Sequence, residues 1–492
     1  GTVEVQEEAV VSVTYSKWSN VQLLHHQHCF HSSSKDKRFS QNFDCKKSPN
    51  RSSVKVEPTH VEITDEYGIH HLLNLNILAS DDTWGAPSLL AAKVAENKGI
   101  AVFSQVHLEQ SPPAGSFEGP MKHVAESDQS RMEILQDLLS THLSIDTTQA
   151  KVQPYTTAYL LGRHELKQSL LTDLHTHMKD QELKRSKLIM HFLPPGVVPK
   201  QASENYMPIL LNACPQTFST VMYYETLRTH EIGRLAIYCD LMTSSMNVTA
   251  GYPHLVHGFV VLPTQQTQGK GRGGNSWLSP MGCLMFTVQL HISLTSILGQ
   301  HISIMQHLAS LAIVMAVREQ PGYADVPMQL KWPNDLYIND EVKIGGVFVE
   351  ATTMGKKIVL NIGVGINLSN TSPTTCINDQ IRLMNKEMGS SMEELDREVY
   401  LAEIFNCLEK LIDSFQKDGP QAVLPYYYKY WLHNNSRVTV QGEDRHQEAA
   451  TIIGIDDFGF LVARLDSGHP ISLQPDGNSF NMMEGLIYSK LQ

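Results

Sequence analysis

The stretch Gly269-Lys-Gly-Arg-Gly-Gly-Asn-Ser-Trp-Leu-Ser-Pro280 carries four glycines and two cations in its first six residues. Its opening GKGRGG has the spacing G-x-G-x-x-G. In a dinucleotide-binding unit that spacing opens a helix and is followed about twenty residues later by an acid. Neither condition holds. The loop runs into Asn275-Ser-Trp-Leu-Ser-Pro-Met-Gly, a turn-forming sequence with a proline, and no Asp or Glu stands between Asn275 and Gln306. No window supplies the G-x-x-x-x-G-K-[ST] pattern either. A dehydrogenase-like fold is therefore excluded at this loop. Two readings remain. Backbone N–H groups can approach an anion where side-chain bulk is missing, with Lys270 and Arg272 pairing to carboxylate or phosphate oxygens. The alternative is a solvated glycine turn with incidental charges.

Three other strand ends decide between them. Lys331-Trp-Pro-Asn-Asp335 sets a cation, an aromatic ring and a carboxylate around a proline-fixed turn. Lys343-Ile-Gly-Gly346 places a lysine at a strand start beside a glycine pair, and Gly363-Val-Gly-Ile-Asn367 ends a strand on a carboxamide. Polar, glycine-punctuated strand ends so close in sequence point to one small-molecule pocket over a sheet.

The surrounding pattern is that of a folded enzyme-sized unit. Strands are expected at Arg234–Cys239, His257–Leu262, Leu284–Ile292, Lys343–Glu350 and Lys357–Gly363, with helices over 301–318, 392–417 and 421–431. After Trp431, short alternating runs (Arg437-Val-Thr-Val, Ala450-Thr-Ile-Ile, Phe460-Leu-Val-Ala, Pro470-Ile-Ser-Leu) predict a small β-barrel. The first half is less regular. Ser88–Gly99 predicts a helix with a glycine stop, Ile100–Ser104 a strand, 164–185 a helix and Lys187–Phe192 a strand; residues 31–55 read as a polar loop. The expected domains are 1–115, 116–233 (a linker or accessory region), 234–432 and 433–492.

Composition narrows the function classes. With 492 residues and a net charge of −12, broad binding to nucleic acid or anionic lipid is disfavoured. Seven cysteines without a C-x-x-C pair argue for a reducing compartment, and against a disulfide framework or zinc ribbon. No apolar run reaches the roughly 18 residues needed to span a bilayer. The first residues, GTVEVQEEAVV, show neither a signal-peptide nor a transit-peptide pattern. His25-His-Gln-His-Cys-Phe-His31 lacks a spaced partner cluster and reads as a polar surface tract, so no resident metal is expected.

Taken together, Gln266–Cys283, Lys331–Asp335, Lys343–Gly346, Gly363–Asn367, Leu424–Trp431 and Gln474–Phe480 resemble the biotin protein ligase family, in particular the animal holocarboxylase synthetases. The resemblance is strong over 234–492 and weaker over 150–233. It implies an α+β fold: a class II aminoacyl-tRNA synthetase-like catalytic domain with a mixed sheet and helices on one side, then an SH3-like barrel. It implies a two-step reaction as well. Biotin and MgATP give biotinyl-5′-AMP, and a lysine on an apo-carboxylase biotin domain takes the acyl group. Acetyl-CoA, pyruvate, propionyl-CoA and methylcrotonyl-CoA carboxylases are the implied partners, in cytoplasm and mitochondria. No helix-turn-helix is visible, so operator-DNA binding is not implied, nor is membrane association. A biotin- or lipoate-binding module that forms an adenylate without transferring it remains the alternative.

Residue by residue, the resemblance assigns Lys270, Gly271, Arg272 and Gly273 to a loop closing over biotin and adenylate. Lys343, with Gly345 and Gly346, would bind the carboxyl and α-phosphate oxygens. Ser244, Ser245 and Gln266 would hydrogen-bond the biotin rings, and Trp277 would pack on adenine. Asn334 and Asp335 would position nucleotide, Mg²⁺ or the incoming lysine. Lys343, Arg272 and Asp335 are the implied catalytic set. Asn367 is either a ligand contact or a strand-end cap. The family's Ser-Thr turn is Ser244-Ser245 here, and Lys270 replaces an arginine common in bacterial members, a point charge for a bidentate fork. Gly99–Glu109 resembles the end of a glutamine-amidotransferase-like domain. No G-x-C-x-G nucleophile precedes it, so the His107-x-Glu109 pair would belong to a degenerate, non-catalytic copy.

Overall fold

The computed structural model describes residues 10–25, 60–64, 70–82, 87–94, 99–109, 121–147, 153–185, 187–250, 255–272, 275–370, 372, 374–441, 447–475, 478–481 and 486–489. These form two compact units, Gly1–Val152 and Gln153–Gln492. The 26–31 part of the histidine tract, Cys29, Cys45 and Gly273 lie outside the described residues.

The first unit is a seven-stranded sheet whose described ladders are all antiparallel. The helix Met121–Asp137 sets Ile134 among Val13, Leu23, Leu89 and Val106, and the Tyr15 hydroxyl donates to the Asp137 carboxylate at 2.6 Å. The glutamine-amidotransferase-like resemblance implies an α/β region here, whereas the described residues form antiparallel hairpins and the one α-helix Met121–Asp137. Ser88–Gly99 is not a helix: Pro87–Val94 is a strand between His70–Asp81 and Ile100–Ser104. Its leucines and alanines favour a helix in isolation. Partner strands on both edges, with Leu89 fully buried, override that weak preference. His107 and Glu109 do meet, Nδ1 to Oε1 at 2.6 Å.

The second unit is built on an eleven-stranded mixed sheet. At its centre lie Lys357–Asn367, Cys283–Ser293, Phe259–Gln266 and Leu235–Met242. Beyond these, Ala158–Gly162, Tyr206–Leu210, Ile189–Leu193 and Glu182–Lys184 extend the sheet through residues 153–233. Three pairs are parallel and the others antiparallel. Along Leu235-Ala-Ile-Tyr-Cys both alternating sets are apolar, so both sheet faces are buried. Helices Met305–Arg318 and Arg397–Asp418 cover one face. The helix His164–Leu174 covers the other at this end, packing Leu170 and Leu174 against Leu160, Met190 and Phe259. Helices thus occupy both sides, not one. The helix expected over 164–185 stops at Leu174: a 3-10 turn at His175–His177 follows, Met178 is extended, and left-handed backbone at Asp180 and Gln181 turns the chain back into Glu182–Lys184.

A six-stranded sheet closes the chain. Four of its neighbour pairs are antiparallel, and Arg437–Gln441 lies parallel to Leu486–Ser489. The segment leading into it pairs with the larger sheet, Leu330 N–H donating to the Tyr430 carbonyl and Leu432 N–H to the Leu330 carbonyl.

Candidate active site

Strand ends from distant parts of the sequence surround a cavity of about 660 Å³. Leu235–Met242 delivers Ser244 and Ser245, and Phe259–Gln266 delivers Gln266. The glycine loop forms a small hairpin, Gly269 opposite Trp277 and Lys270 opposite Ser276, so no helix receives it. The cis Trp332–Pro333 turn links Met328–Lys331 to Asp335–Ile338 and brings Lys331, Asn334 and Asp335 to the opposite wall.

A β-bulge aims the lysine. Leu336 pairs with Gly345 and Tyr337 with Lys343, leaving Ile344 as the extra residue. A regular strand would put Lys343 and Gly345 on the same face. With the bulge, Lys343 and Gly346 line the cavity and Gly345 does not. Gly345 serves close strand approach instead, since a Cβ there would stand 2.8 Å from the Gly365 carbonyl oxygen. Asn367 is also outside the cavity: it donates to Thr374 Oγ1 at 2.8 Å and accepts from the Cys283 thiol, the contacts of a strand-end anchor.

The cavity is electrically lopsided. Among the described residues, Lys270, Arg272, Lys331 and Lys343 line it with a single carboxylate, Asp335, in a chain of net charge −12. Asp335 lies between two lysines, Oδ1 2.7 Å from Lys343 Nζ and Oδ2 3.8 Å from Lys331 Nζ. Lys331 is the more buried of the two. Burial pushes its pKa below the usual lysine value, and Asp335 works against that shift. An excess of fixed cations in a partly dry pocket favours an anionic ligand, and more so one whose charge grows during reaction.

The other end is neutral and hydrogen-bonding. Gln266 Oε1 accepts from Ser245 N–H at 2.6 Å and from its hydroxyl at 3.1 Å, and that hydroxyl also lies 2.7 Å from Thr287 Oγ1. Ser244 Oγ and Trp277 Nε1 are buried without a hydrogen-bond partner among the described residues. Unmet buried donors on a cavity wall are costly unless a ligand or water satisfies them. Phe286, Val347 and Phe348 supply apolar wall between the two ends.

Met246, Phe286 and Phe348 line the cavity without belonging to any of the sequence motifs, whereas Lys331, Gly363 and Gly365 line it from within them. Period-two alternation would have found several, because Gly346 with Phe348, and Gly363 with Gly365, are i,i+2 pairs on single strands.

Residues 242–367 match the Biotin/lipoate A/B protein ligase family, and residues 433–482 match the Biotin protein ligase C terminal domain. The Biotin--protein ligase of Homo sapiens is 36% identical over 402 residues, covering 80% of this chain and 55% of that protein. The Biotin--protein ligase 2 of Arabidopsis thaliana is 30% identical over 332 residues, 66% of this chain and 96% of that protein. A solved structure of the biotin protein ligase from Aquifex aeolicus, in complex with biotin and ATP, aligns at 20% identity and a TM-score of 0.38. It covers 48% of this chain and 94% of that one. The described residues that line the cavity all fall within the segment matched by the Biotin/lipoate A/B protein ligase family. The chain belongs to the biotin protein ligase family. It spans just over half the length of its human relative.

Proposed function

We propose that this chain attaches biotin to a lysine of a protein acceptor in two ATP-dependent steps. The observation that carries the reading is the cavity's division into a neutral, hydrogen-bonding end at Ser244, Ser245 and Gln266 and a cationic end at Lys270, Arg272 and Lys343. Such a division suits a ligand with a uncharged ring system and a carboxylate tail that must meet a polyphosphate. Its volume lies within the range of about 300–1,000 Å³ usual for small-molecule sites.

In the first step a biotin carboxylate oxygen attacks the α-phosphorus of ATP, forming the acyl-phosphate bond as pyrophosphate leaves. Lys343 exchanges Asp335 for the carboxyl and α-phosphate oxygens, while Lys270 and Arg272 offset the growing negative charge. Trp277, seated against Gly365, offers an indole face to adenine. In the second step the acceptor amine attacks the acyl carbon, forming the amide as the bond to AMP breaks. Asp335, freed from Lys343, is the described lining carboxylate that can hold the incoming ammonium while it gives up its proton to water and becomes the attacking amine, with Asn334 beside it.

Mg²⁺ fits as part of MgATP. The described lining offers one carboxylate, and Mg²⁺ is commonly held by one or two carboxylates together with substrate phosphates and water. The acceptors are biotin domains of acetyl-CoA, pyruvate, propionyl-CoA and methylcrotonyl-CoA carboxylases, in cytoplasm and mitochondria. We take 234–432 as the catalytic domain and 433–492 as the C-terminal domain.

Incubation with ATP, an isolated biotin domain, and either biotin or lipoate, followed by intact mass, tests the reading. Biotin added to the acceptor lysine is expected. Lipoate transfer without biotin transfer, or adenylate formation without any transfer, would overturn it.

A further inference from the structure

The glycine loop cannot hold its own position. Among its described residues the two arms pair at Gly269 with Trp277 and Lys270 with Ser276, with Gly271 N–H donating to the Asn275 carbonyl beyond them, and so short a ribbon is marginal by itself. Three side chains outside the cavity lining hold its base and first arm. Glu204 accepts a 2.5 Å hydrogen bond from Gln268 Nε2. The Tyr155 hydroxyl lies 3.0 Å from Thr267 Oγ1. Asn247 Oδ1 accepts from Lys270 Nζ at 2.8 Å, and its Nδ2 donates to Thr243 Oγ1, which fixes which amide atom faces the lysine. The backbone below is tied as well, Thr267 N–H to the Met242 carbonyl and Gln268 N–H to that of Thr243.

We propose that Glu204, Tyr155 and Asn247 form a latch on the loop that sets how long an acyl-adenylate stays bound. This rests on the function proposed above. Tyr155 and Glu204 lie just ahead of Ala158–Gly162 and Tyr206–Leu210, two strands that lengthen the sheet before residue 234, and outside the segments matched by the two family descriptions. Residues 153–233 thereby act on the reaction without lining the cavity. Asn247 follows the Ser244-Ser245 turn, so it joins the neutral end of the cavity to Lys270. Its amide is uncharged, which orients the Lys270 ammonium without neutralising it. A carboxylate in that place would compete with the bound anion. All three are positioning residues acting through Thr267, Gln268 and Lys270.

The test uses the full chain and biotinyl-5′-AMP. Release of preformed biotinyl-5′-AMP is timed by rapid dilution, beside ATP–pyrophosphate exchange and thermal melting. Glu204→Ala and Asn247→Ala are each expected to release the adenylate about fivefold faster, the loss of one ordinary hydrogen bond. Exchange rate and melting temperature should stay at the parent values. Glu204→Gln, which keeps an acceptor for Gln268, should return release close to the parent rate. Tyr155→Phe removes one hydroxyl with little risk to folding and should give a smaller acceleration. Unchanged release in Glu204→Ala, Asn247→Ala and Tyr155→Phe would overturn the latch. Faster release accompanied by equal losses in exchange and melting would overturn it too, as general loosening. A parent chain that forms no biotinyl-5′-AMP would instead overturn the function on which the proposal stands.

Discussion

The Trp277 indole occupies the space in which a Cβ of residue 365 would stand: at Gly365 that atom would lie 2.6 Å from both Nε1 and Cε2 of the ring. The second glycine of Gly363-Val-Gly365 is therefore the seat of an aromatic side chain, and small size is its contribution to the site.

Gly365→Ala should unseat the indole. Overpacking of this kind costs about 1–3 kcal/mol, and here the strain is relieved by moving Trp277 out of the cavity wall. The expected result is a KM for ATP raised about tenfold or more in pyrophosphate exchange, with a smaller change in KM for biotin. A shift in tryptophan fluorescence should accompany it. Equal losses for both substrates would indicate that the sheet, not the indole, had been disturbed.

The Asp335–Lys343 pair separates the two chemical steps. Lys343→Ala should reduce pyrophosphate exchange by about two to three orders of magnitude, as expected for removal of a preorganised charge that stabilises a transition state. Asp335→Asn leaves that lysine free to bind oxygens, so it should retain most of the exchange and lose acyl transfer. Single-turnover assays starting from biotinyl-5′-AMP distinguish the two variants.

Gly459→Ala should destabilise the fold. Gly459 has a φ of +77°, and a Cβ would sit 2.5 Å from the His307 ring. Its carbonyl also accepts from His307 Nε2 at 2.9 Å and from Trp332 Nε1 at 3.0 Å. Strain at a left-handed position adds to a clash inside a packed interface, so a loss of about 2–4 kcal/mol is expected from denaturant titration. Gly468→Ala, also left-handed (φ +94°) but with open space around the added Cβ, is the control and should cost less.

Acid should weaken the chain before its carboxylates titrate. Burial pushes His307 down to about 4 and His433 down to about 3. Both are thus neutral when folded, and His433 Nε2 accepts from Trp332 N–H. An unfolded histidine binds a proton near pH 6.5, whereas the folded ones do not until pH 3–4. Stability is therefore fully present above about pH 6.5 and falls as pH drops from there toward 4. Each histidine can contribute up to about 1.4 kcal/mol per pH unit in that window. Denaturant titrations between pH 7 and 5 should show the decline, with a shallower slope in His433→Gln. A flat profile would mean that these rings are hydrated.

The half that bears the cavity was legible because its signals are local. Glycines and prolines mark the strand ends, and the residue types that bind anions sit beside them. Ser244, Ser245, Gln266, Lys270, Gly271, Arg272, Trp277, Asn334, Asp335, Lys343 and Gly346 all border one cavity. Gly345 and Asn367 were not separable from these by pattern. A bulge at Ile344 reverses the parity on which strand reading depends, and the orientation of Asn367 is set by Thr374 and Cys283. Pro87–Val94 misled for the opposite reason: its residues favour a helix, and only the partner strands decide otherwise. Asn247 carries no motif at all. Its position beside Lys270 exists only once a hairpin and a short helix have been brought together.

The shared acceptor at Gly459 has a bearing on modularity. The C-terminal sheet can be outlined in the sequence as a separate piece, but its β-turn carbonyl satisfies both the Trp332 indole and the His307 imidazole, which belong to the larger sheet and its central helix. A chain cut after residue 432 would lose that acceptor and His433, leaving both rings and the Trp332 N–H without their protein partners at the back of the Trp332–Pro333 turn. Truncation there would damage the unit that bears the cavity, and the two parts are best inherited, expressed and engineered as one.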